Sequence, residues 1–246
     1  MRFLLYNIRY GAGVGWQFHF PFPFSGYLKY THQQFSRLVD FIESVNPDII
    51  GLLEVDSGSF RSKKSCQATT LARQLKHFCV YESKYAVDSI WQKLPLTNKQ
   101  GNAILTNTTI HGQKIHYFKK GIKRLMIELE MEDFVVLLVH LSLKYQHRHQ
   151  QLHDIYQQVE KIKKPVIVAG DFNVLRGAHE LEAFLEKVGL KNANKEGLLS
   201  HPSGAPRREI DFILHSPEIE VGSFEMPDVQ FSDHRPLICD FKVKKK

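Results

Sequence analysis

The sequence predicts an α/β protein built as a layered sandwich of sheets and helices. Short apolar runs typical of strands alternate along the 246 residues with segments whose apolar residues recur at helical spacing. Two of these runs, LMIELEM and FVVLLVHL, are separated only by Glu132 and Asp133, which predicts a β-hairpin. A hairpin disfavours a fold made only of strand–helix–strand crossovers.

The first half of the chain reads as two strands and two helices. RFLLY forms the first strand, and Thr31 is the predicted N-cap of a helix with an apolar face of Phe35, Leu38, Ile42 and Val45. NPDII ends that helix and begins a strand that runs through Leu53. A second helix is marked by Leu71, Ala72 and Leu75.

The second half continues the alternation after the hairpin. One helix carries Leu152, Ile155, Val159 and Ile162 on one face and ends by Pro165, where the strand VIVAG begins. A last helix, closed by Gly189, carries Leu181, Phe184, Leu185 and Val188. EIDFILHS and RPLICDFKV are late strands. No repeat or linker divides the chain, so we predict a single domain over residues 1–246.

The charge of the chain favours anionic partners. Thirty-three Lys+Arg against 26 Asp+Glu give a net charge of +7. Such a balance suits nucleic acid, phospholipid head groups or phosphorylated metabolites. A lysine-rich solvated surface, including the tail KVKKK, explains the same number, so charge alone does not decide between them.

Cysteine usage and the apolar runs predict a cytoplasmic protein, and we also expect it to be a monomer. The three cysteines form no CxxC pair and their count is odd, which disfavours a disulfide framework or a zinc site. No run of about 18 apolar residues is present to span a bilayer. The start MRFLLYNIRYG lacks the apolar core and cleavage site of a signal peptide.

Polar residues interrupt or follow the predicted strands at several points. Each alone has an ordinary explanation, as a turn residue or a hydrogen-bonded histidine. As a set they fall where strands deliver side chains to one edge of a sheet. Four carboxylates at one edge repel one another unless a hard divalent cation such as Mg²⁺ or Mn²⁺ binds there. The residues are Asn7, Glu54, His140, Asp171, Asn173, Asp211, Asp233 and His234.

Six motifs in order resemble the endonuclease/exonuclease/phosphatase superfamily. They are LLYNIRYG, PDIIGLLEVD, GNAILTN, VVLLVHLSL, GDFN and SDHRPL, and they cover the chain from residue 3 to 241. That group includes pancreatic deoxyribonuclease, abasic-site endonucleases, neutral sphingomyelinases and inositol polyphosphate 5-phosphatases. The resemblance implies a four-layered sandwich in which two packed mixed sheets are flanked by helices.

The resemblance also implies a metal site. Glu54 matches the main Mg²⁺ ligand, Asn7 matches its partner, and Asp233 matches an acid near the metal. The expected cofactor is therefore Mg²⁺ or Mn²⁺.

The remaining polar residues match catalytic positions. Asp171 is expected to hold or deprotonate the attacking water, and Asn173 to contact the phosphate and that water. His234 is expected to face the scissile phosphate while Asp211 orients its ring. His140 matches a histidine near the leaving oxygen.

The predicted function is a Mg²⁺-dependent phosphodiesterase acting on a lipid or small phosphodiester. LLEVD stands where abasic-site endonucleases carry a QE-containing motif, and EVDSGSFRSKKSCQATTLARQL resembles a branch allied to sphingomyelinase-like members. A nuclease of the same superfamily remains an alternative. A catalytically silent binding module is disfavoured because every matched position holds a competent residue. Expected substrate contacts are Asn102, Arg61 and Arg124.

The segment GWQFHFPFPFSGYLKYTH, residues 15–32, is rich in aromatic residues. It suits either a small satellite core or an aromatic lip that grips a lipid or a base. Its aromatic and basic residues also suit peripheral contact with a membrane. If the segment is extended, alternation places Trp16, Phe18, Phe20, Phe22 and Phe24 on one side.

Overall fold

The computed structural model describes residues 1–14, 16–19, 25–85, 97–121 and 124–244. These residues form two six-stranded sheets and four α-helices. The helices are α1 (His32–Val45), α2 (Gln67–Leu75), α3 (Tyr145–Val159) and α4 (Glu182–Val188). The strands are β1 (Arg2–Asn7), β2 (Ile49–Asp56), β3 (Phe78–Ser83), β4 (Gln100–Thr106), β5 (Gly112–Tyr117), β6 (Leu125–Glu130), β7 (Val135–His140), β8 (Val166–Asp171), β9 (Lys191–Asn192), β10 (Asp211–His215), β11 (Ile219–Glu225) and β12 (Leu237–Val243).

Both sheets are mixed. The first has the strand order β11-β12-β1-β2-β4-β3 and the second β5-β6-β7-β8-β10-β9. β1 runs parallel to β2 and β7 runs parallel to β8, while the other pairings are antiparallel. The predicted hairpin is confirmed as β6 and β7, paired antiparallel from Met126–Val139 to Glu130–Val135.

Three apolar clusters hold the layers together. The central cluster lies between the sheets, where apolar residues of β1 and β2 meet those of β7 and β8. α1 and α2 cover the outer face of the first sheet, and α3 and α4 cover the outer face of the second. The resulting helix–sheet–sheet–helix order confirms the predicted four-layered sandwich. Buried members of the central cluster include Phe3, Leu5, Leu53, Ile104, Leu138, Ile167, Ala169 and Ile213.

The register brings several strand ends to one edge of the sandwich. β1, β2, β7 and β8 end there, and β4, β6, β10 and β12 begin there, because each of the latter runs antiparallel to a strand that ends there. We call this edge, with the loops that leave or enter it, the site edge.

Helix ends differ slightly from the predictions. Thr31 occupies the predicted N-cap position of α1, but its side chain makes no capping hydrogen bond; its hydroxyl donates to the Arg61 carbonyl at 3.4 Å. α3 ends at Val159, so Ile162 packs against the core from beyond the helix. Leu181 belongs to a 3₁₀ turn before α4. Gly189 follows α4 with φ +69°, which confirms the predicted C-cap.

The aromatic segment is described only in part. Residues 15 and 20–24 lie outside the described residues, and with them Phe20, Phe22 and Phe24. The flanking pieces Trp16–His19 and Ser25–Leu28 are 3₁₀ turns. These parts of the segment therefore lack the extended conformation that would place alternating residues on one side. Phe18 is buried, whereas Tyr30 is exposed.

Within the described residues, none of the helices combines the length and the apolar character needed to cross a membrane.

Candidate active site

Strand pairing places the predicted site residues beside one another. Asn7 ends β1 and lies opposite Leu53 of β2. Glu54, the residue after Leu53, therefore lies next to the end of β1. On the second sheet, His140 at the end of β7 lies opposite Asp171 at the end of β8. Asp171 in turn lies opposite Asp211, the first residue of β10. The two sheets thus face each other across the site edge.

Gly170 allows the close pairing that positions Asp171. A Cβ atom at this glycine would lie 1.9 Å from the Val139 carbonyl oxygen of β7. Any side chain there would push β8 away from β7 and separate Asp171 from His140.

Asp171 is held by groups from both sheets. Its Oδ2 accepts a hydrogen bond from Asn7 Nδ2 at 3.3 Å and lies 3.2 Å from His140 Nε2. Its Oδ1 accepts the backbone N–H of Asn173 at 2.9 Å. The carboxylate is buried, so these polar contacts offset the loss of water around it.

Asn173 turns the chain out of β8. Its φ of +51° is a left-handed conformation, which asparagine adopts more readily than most residues. Its Nδ2 donates to the Leu141 carbonyl at 2.9 Å, which joins the loop after β8 to the loop after β7. The residue therefore fixes the local geometry around Asp171.

His234 and Asp211 form a buried pair. His234 Nδ1 lies 2.7 Å from Asp211 Oδ2, which also accepts the Ser200 hydroxyl at 2.6 Å. The other ring nitrogen, Nε2, lies 3.4 Å from Asn7 Nδ2. The bond at Nδ1 fixes the direction of the ring and leaves Nε2 facing Asn7.

The charge state of this pair follows from its neighbours. Burial lowers the His234 pKa, but the charge of Asp211 and its hydrogen bond, with added attraction from Asp171 and Asp233, raise that pKa to about 10. Burial also raises the pKa of Asp211. Two hydrogen bonds to Asp211 Oδ2 nevertheless favour its carboxylate, so we describe the pair as imidazolium and carboxylate.

Glu54 sits at an irregularity in β2. The pairing of β2 with β4 shifts register between Leu52 and Val55, and Glu54 has a φ of +55°. The Glu54 N–H donates to Asn102 Oδ1 at 3.3 Å. Asn102 is fully buried, so the structure gives it a supporting contact under Glu54 rather than an exposed substrate contact.

A second set of charged residues lies beside the buried pair. Arg9 Nε lies 3.3 Å from Asp233 Oδ2, and His201 Nε2 lies 4.0 Å from the same oxygen. The His201 and His234 rings are 4.9 Å apart. Burial, followed by the nearby His234, lowers the His201 pKa. Asp233 and His201 remain 25% exposed.

We name two groups from this geometry. The inner group consists of the buried side chains of Asn7, His140, Asp171, Asp211 and His234. The outer group consists of Arg9, Glu54, His201 and Asp233, which are partly exposed.

The four carboxylates do not form one cluster. Among the described residues, Asp171 and Asp211 group with His234, while Asp233 groups with His201 and His234, with ligand atoms within 4.8 Å of one another. Glu54 is in neither of these two clusters of ligand atoms. Strand order alone does not reveal this, because it places Glu54 at the same edge as the other carboxylates.

Arg61 differs from its expected role as an exposed phosphate contact. Its side chain is 1% exposed, and its Nη2 lies 2.8 Å from Asp56 Oδ2. Ser59 and Ser62 also donate to the Asp56 carboxylate. Arg61 therefore stabilises the loop after β2, because moving it to a substrate would leave Asp56 buried without its ion partner.

Arg124, the third expected substrate contact, lies at the site edge. It immediately precedes β6 at the site edge and is partly exposed.

Three residues near the site were not singled out from the sequence. Arg9 stands two positions after Asn7, and Ser200 and His201 lie in SHPSGAPRREIDFILHS. Arginine and serine are common in loops, so only their contacts with Asp233 and Asp211 identify them.

A family match covers nearly all of these residues. The sequence model of the Endonuclease/Exonuclease/phosphatase family matches residues 4–234. A UPF0294 protein of Yersinia pseudotuberculosis is 33% identical over 106 residues, which are 42% of this chain and 40% of that protein. The chain thus spans less than half the length of this curated relative.

Solved structures share the whole architecture. The human Nocturnin catalytic domain with bound sulfate aligns with a TM-score of 0.72 and 20% identity, over 99% of this chain and 93% of that one. The Bacteroides thetaiotaomicron VPI-5482 mannosyl-6-phosphatase aligns with a TM-score of 0.73 and 14% identity, over 98% and 99%. At these identities the likeness shows the fold alone.

Proposed function

Because the chain belongs to the Endonuclease/Exonuclease/phosphatase family, as the match to residues 4–234 shows, we propose that it hydrolyses phosphoester bonds as a metal-dependent phosphodiesterase. The observation that carries this proposal is the inner group. A buried carboxylate, a buried Asp–His pair and an amide converge from two sheets at one open edge. The fold itself does not require buried charges here, because apolar side chains would fill the same space without the free-energy cost of desolvating charged groups.

The inner group provides the parts that phosphoester hydrolysis requires. Asp171 is placed to orient the attacking water and accept its proton, since its Oδ2 faces the shared space between Asn7 and His140. The imidazolium of His234 stabilises negative charge that develops on the phosphoryl oxygens. Asp211 holds that ring in place at 2.7 Å.

His140 and Asn173 complete the proposed site. His140 lies beside Asp171 and is assigned to the side of the leaving oxygen. Asn173 keeps the loop after β8 in position through its bond to Leu141, and its side chain is assigned to the phosphate. These roles position groups before substrate binds, which lowers the reorganisation needed in the transition state.

The residues present fit a hard divalent cation. Glu54, Asn7 and Asp233 offer oxygen ligands at one edge, and the described residues place no thiol among them. Glu54 and Asp233 are partly exposed, so an ion can reach them. We assign Mg²⁺ or Mn²⁺ to these residues; when bound, the ion supplies a Lewis acid for the phosphoryl group.

The decisive experiment is a panel of phosphoesters assayed with Mg²⁺, with Mn²⁺ and with EDTA. The panel contains p-nitrophenyl phosphate, bis-p-nitrophenyl phosphate, sphingomyelin, glycerophosphodiesters, inositol phosphates, RNA and plasmid DNA. We expect metal-dependent hydrolysis of diesters above monoesters. A preference for monoesters, the reaction that the name of the Bacteroides mannosyl-6-phosphatase indicates, would contradict the diesterase assignment. Full activity in the presence of EDTA would contradict the proposed metal dependence.

A nuclease is the second candidate. Exposed lysines surround the site edge at Lys63, Lys64, Lys119 and Lys120, and such a rim attracts the backbone of nucleic acid. Cleavage of plasmid DNA or RNA at rates above those for small diesters would favour this candidate.

A further inference from the structure

The exposed large hydrophobic side chains of this protein are unevenly distributed. Among the described residues, two lie away from the site edge: Met1 at the chain start and Phe78 at the start of β3. The others lie on or next to loops of the site edge. They are Leu28, Tyr30, Phe60, Tyr117, Leu143, Tyr145, Leu175 and Leu199.

Strand register establishes this placement. Tyr117 ends β5 opposite Leu125, the first residue of β6, which begins at the site edge. Leu143 and Leu175 lie in the loops that leave β7 and β8, the strands that deliver His140 and Asp171. By contrast, Phe78 pairs with Thr106 at the far end of β4.

Basic residues accompany these hydrophobic side chains. Lys29 stands between Leu28 and Tyr30, and Lys144 stands between Leu143 and Tyr145. Arg176 follows Leu175 and stacks on the Tyr145 ring at 4.3 Å, which joins two of the loops. Other exposed basic residues at this edge are Lys63, Lys64, Lys119, Lys120, Lys195, Arg207 and Arg208.

Basic residues outnumber acidic residues in these loops, although Glu180 follows Leu175, and Glu196 and Glu209 flank Leu199. The segments 57–66 and 118–124 contain no acidic residue. The edge therefore combines protruding leucine and tyrosine side chains with positive charge, although the whole chain has only a modest excess of +7.

We propose that the site edge docks on an anionic lipid surface, with these hydrophobic side chains entering the interface and the basic residues contacting lipid phosphates. Leucine and tyrosine next to lysine and arginine are typical of interfacial membrane binding. Leucine gains nothing from a nucleic-acid backbone, whereas four exposed leucines at one edge gain from leaving water at a lipid surface. The observed combination therefore fits lipid better than nucleic acid.

This orientation also defines a substrate class, a step that rests on the proposed function. Docking of the site edge brings the partly exposed Asp233 and His201 toward the head groups, with the inner group below them. The phosphoester to be cleaved would then be that of a lipid head group, reached without extracting the lipid from its bilayer.

Vesicle sedimentation tests the surface directly. The probes are phosphatidylcholine vesicles and phosphatidylcholine vesicles containing a third of phosphatidylglycerol. We expect the full chain to bind the anionic vesicles and to be released by salt. The double variant Leu143→Ser/Leu175→Ser should lower the partition coefficient on the order of tenfold. Lys119→Gln/Lys120→Gln should lower it about tenfold on anionic vesicles only.

The matched control is Phe78→Ser, an exposed hydrophobic residue at 60% exposure on the opposite edge. It should bind vesicles as the unchanged protein does, and all variants should keep their melting temperature because the substituted side chains are exposed. An equal loss in Phe78→Ser, or no binding of the unchanged protein at low salt, would overturn the proposal. Binding of an oligonucleotide without vesicle binding would assign the edge to nucleic acid instead.

Failure of this surface and failure of the proposed function are distinguishable. Asp171→Asn should abolish hydrolysis of a soluble diester while leaving vesicle binding intact. Hydrolysis of soluble diesters without vesicle binding would overturn the lipid surface alone. Vesicle binding that is weakened in the Leu143→Ser/Leu175→Ser variant, without hydrolysis of any phosphoester by the unchanged protein, would overturn the enzyme assignment. The assignment of the lipid-binding surface would still hold.

Discussion

The inner and outer groups differ in how their charges are held. Asp171 is 2% exposed and receives three polar contacts from Asn7, His140 and Asn173. Asp233, the residue before His234, is 25% exposed and shares its Oδ2 between Arg9 and His201 at 3.3 and 4.0 Å. The first arrangement is fixed before substrate binds, whereas the second is open to exchange with solvent.

We infer from this difference that the inner group serves the chemical step and the outer group serves binding. A buried group that keeps its partners loses little energy to reorganisation during the reaction. The side chains of Arg9 and Asp233 are 12% and 25% exposed, so water reaches this ion pair and its members can exchange one partner for an ion or a phosphate. We therefore expect inner substitutions to reduce kcat and outer substitutions to act mainly on binding.

The largest expected effect is that of Asp171→Asn. The side chain keeps its shape but cannot take a proton from water, so kcat should fall on the order of 10³-fold. The measurement is steady-state hydrolysis of a small diester, with circular dichroism to confirm the fold. Near-normal kcat in this variant would remove Asp171 from the chemistry.

The pair of His234 and Asp211 should respond as one unit. His234→Ala should lower kcat on the order of 10²-fold, and Asp211→Asn should cost less by itself. The double variant should lose far less than the product of the single losses, because both changes disable the same imidazolium. Independent, multiplicative losses in the cycle would mean that Asp211 does not orient His234.

Glu54→Gln tests the outer group. We expect weaker binding of Mg²⁺ by calorimetry and a loss of metal-dependent activity of about 10²-fold, partly recovered at high metal concentration. The matched variant Glu82→Gln, on β3 of the same sheet, should leave metal binding unchanged. Normal Mg²⁺ affinity in Glu54→Gln would place the metal elsewhere.

A smaller effect is expected for His201→Phe and Arg9→Gln. Both residues border Asp233 from partly exposed positions, so each change should alter KM a few-fold with kcat nearly constant. Kinetics over a range of diester concentrations separates the two parameters. A large fall in kcat in either variant would mean that the residue takes part in the chemical step, as the inner group is proposed to do.

The last and smallest effect concerns stability at high pH. Because the His234 pKa is raised from 6.5 to about 10, its contribution to stability is complete below pH 6.5 and is lost as pH rises toward 10. Denaturant unfolding from pH 6 to 10 should show this fall in the free energy of unfolding. His234→Gln should show a flatter dependence, and an unchanged slope would contradict the imidazolium assignment.

Local patterns predicted the elements and the positions of the catalytic candidates. The hairpin, the apolar faces of α1 and α2 and the C-cap at Gly189 depend on residues a few positions apart, and they are found where expected. The order of the motifs predicted the family. The start of α1 after Thr31 is also found where expected, whereas the predicted helical run to Ile162 extends beyond α3, which ends at Val159.

The family resemblance predicted that Asp211 orients His234, but the distances and the burial inside the site were not available from the sequence. Asp211 was known as a strand residue and His234 as part of SDHRPL, but their 2.7 Å contact depends on two sheets packing face to face. The register shift in β2 beside Glu54 was also not predicted. Neither a contact across sheets nor a bulge leaves a periodic trace in the chain.

By itself the sequence determined the four helices, the polar residues at strand ends that reach the site edge, and seven of the twelve described strands, namely β1, β2, β6, β7, β8, β10 and β12. Hydrophobic periodicity and strand-end chemistry are local, so they can be read along the chain. Only the tertiary structure decided which charges are buried and how closely they pair. Arg61 with Asp56 and Arg9 with Asp233 were not expected, and the expected pair of Asp211 and His234 proved to be buried at 2.7 Å. Pairing of charges is a matter of distance and burial, and residues far apart in the chain acquire both only when the sheets pack.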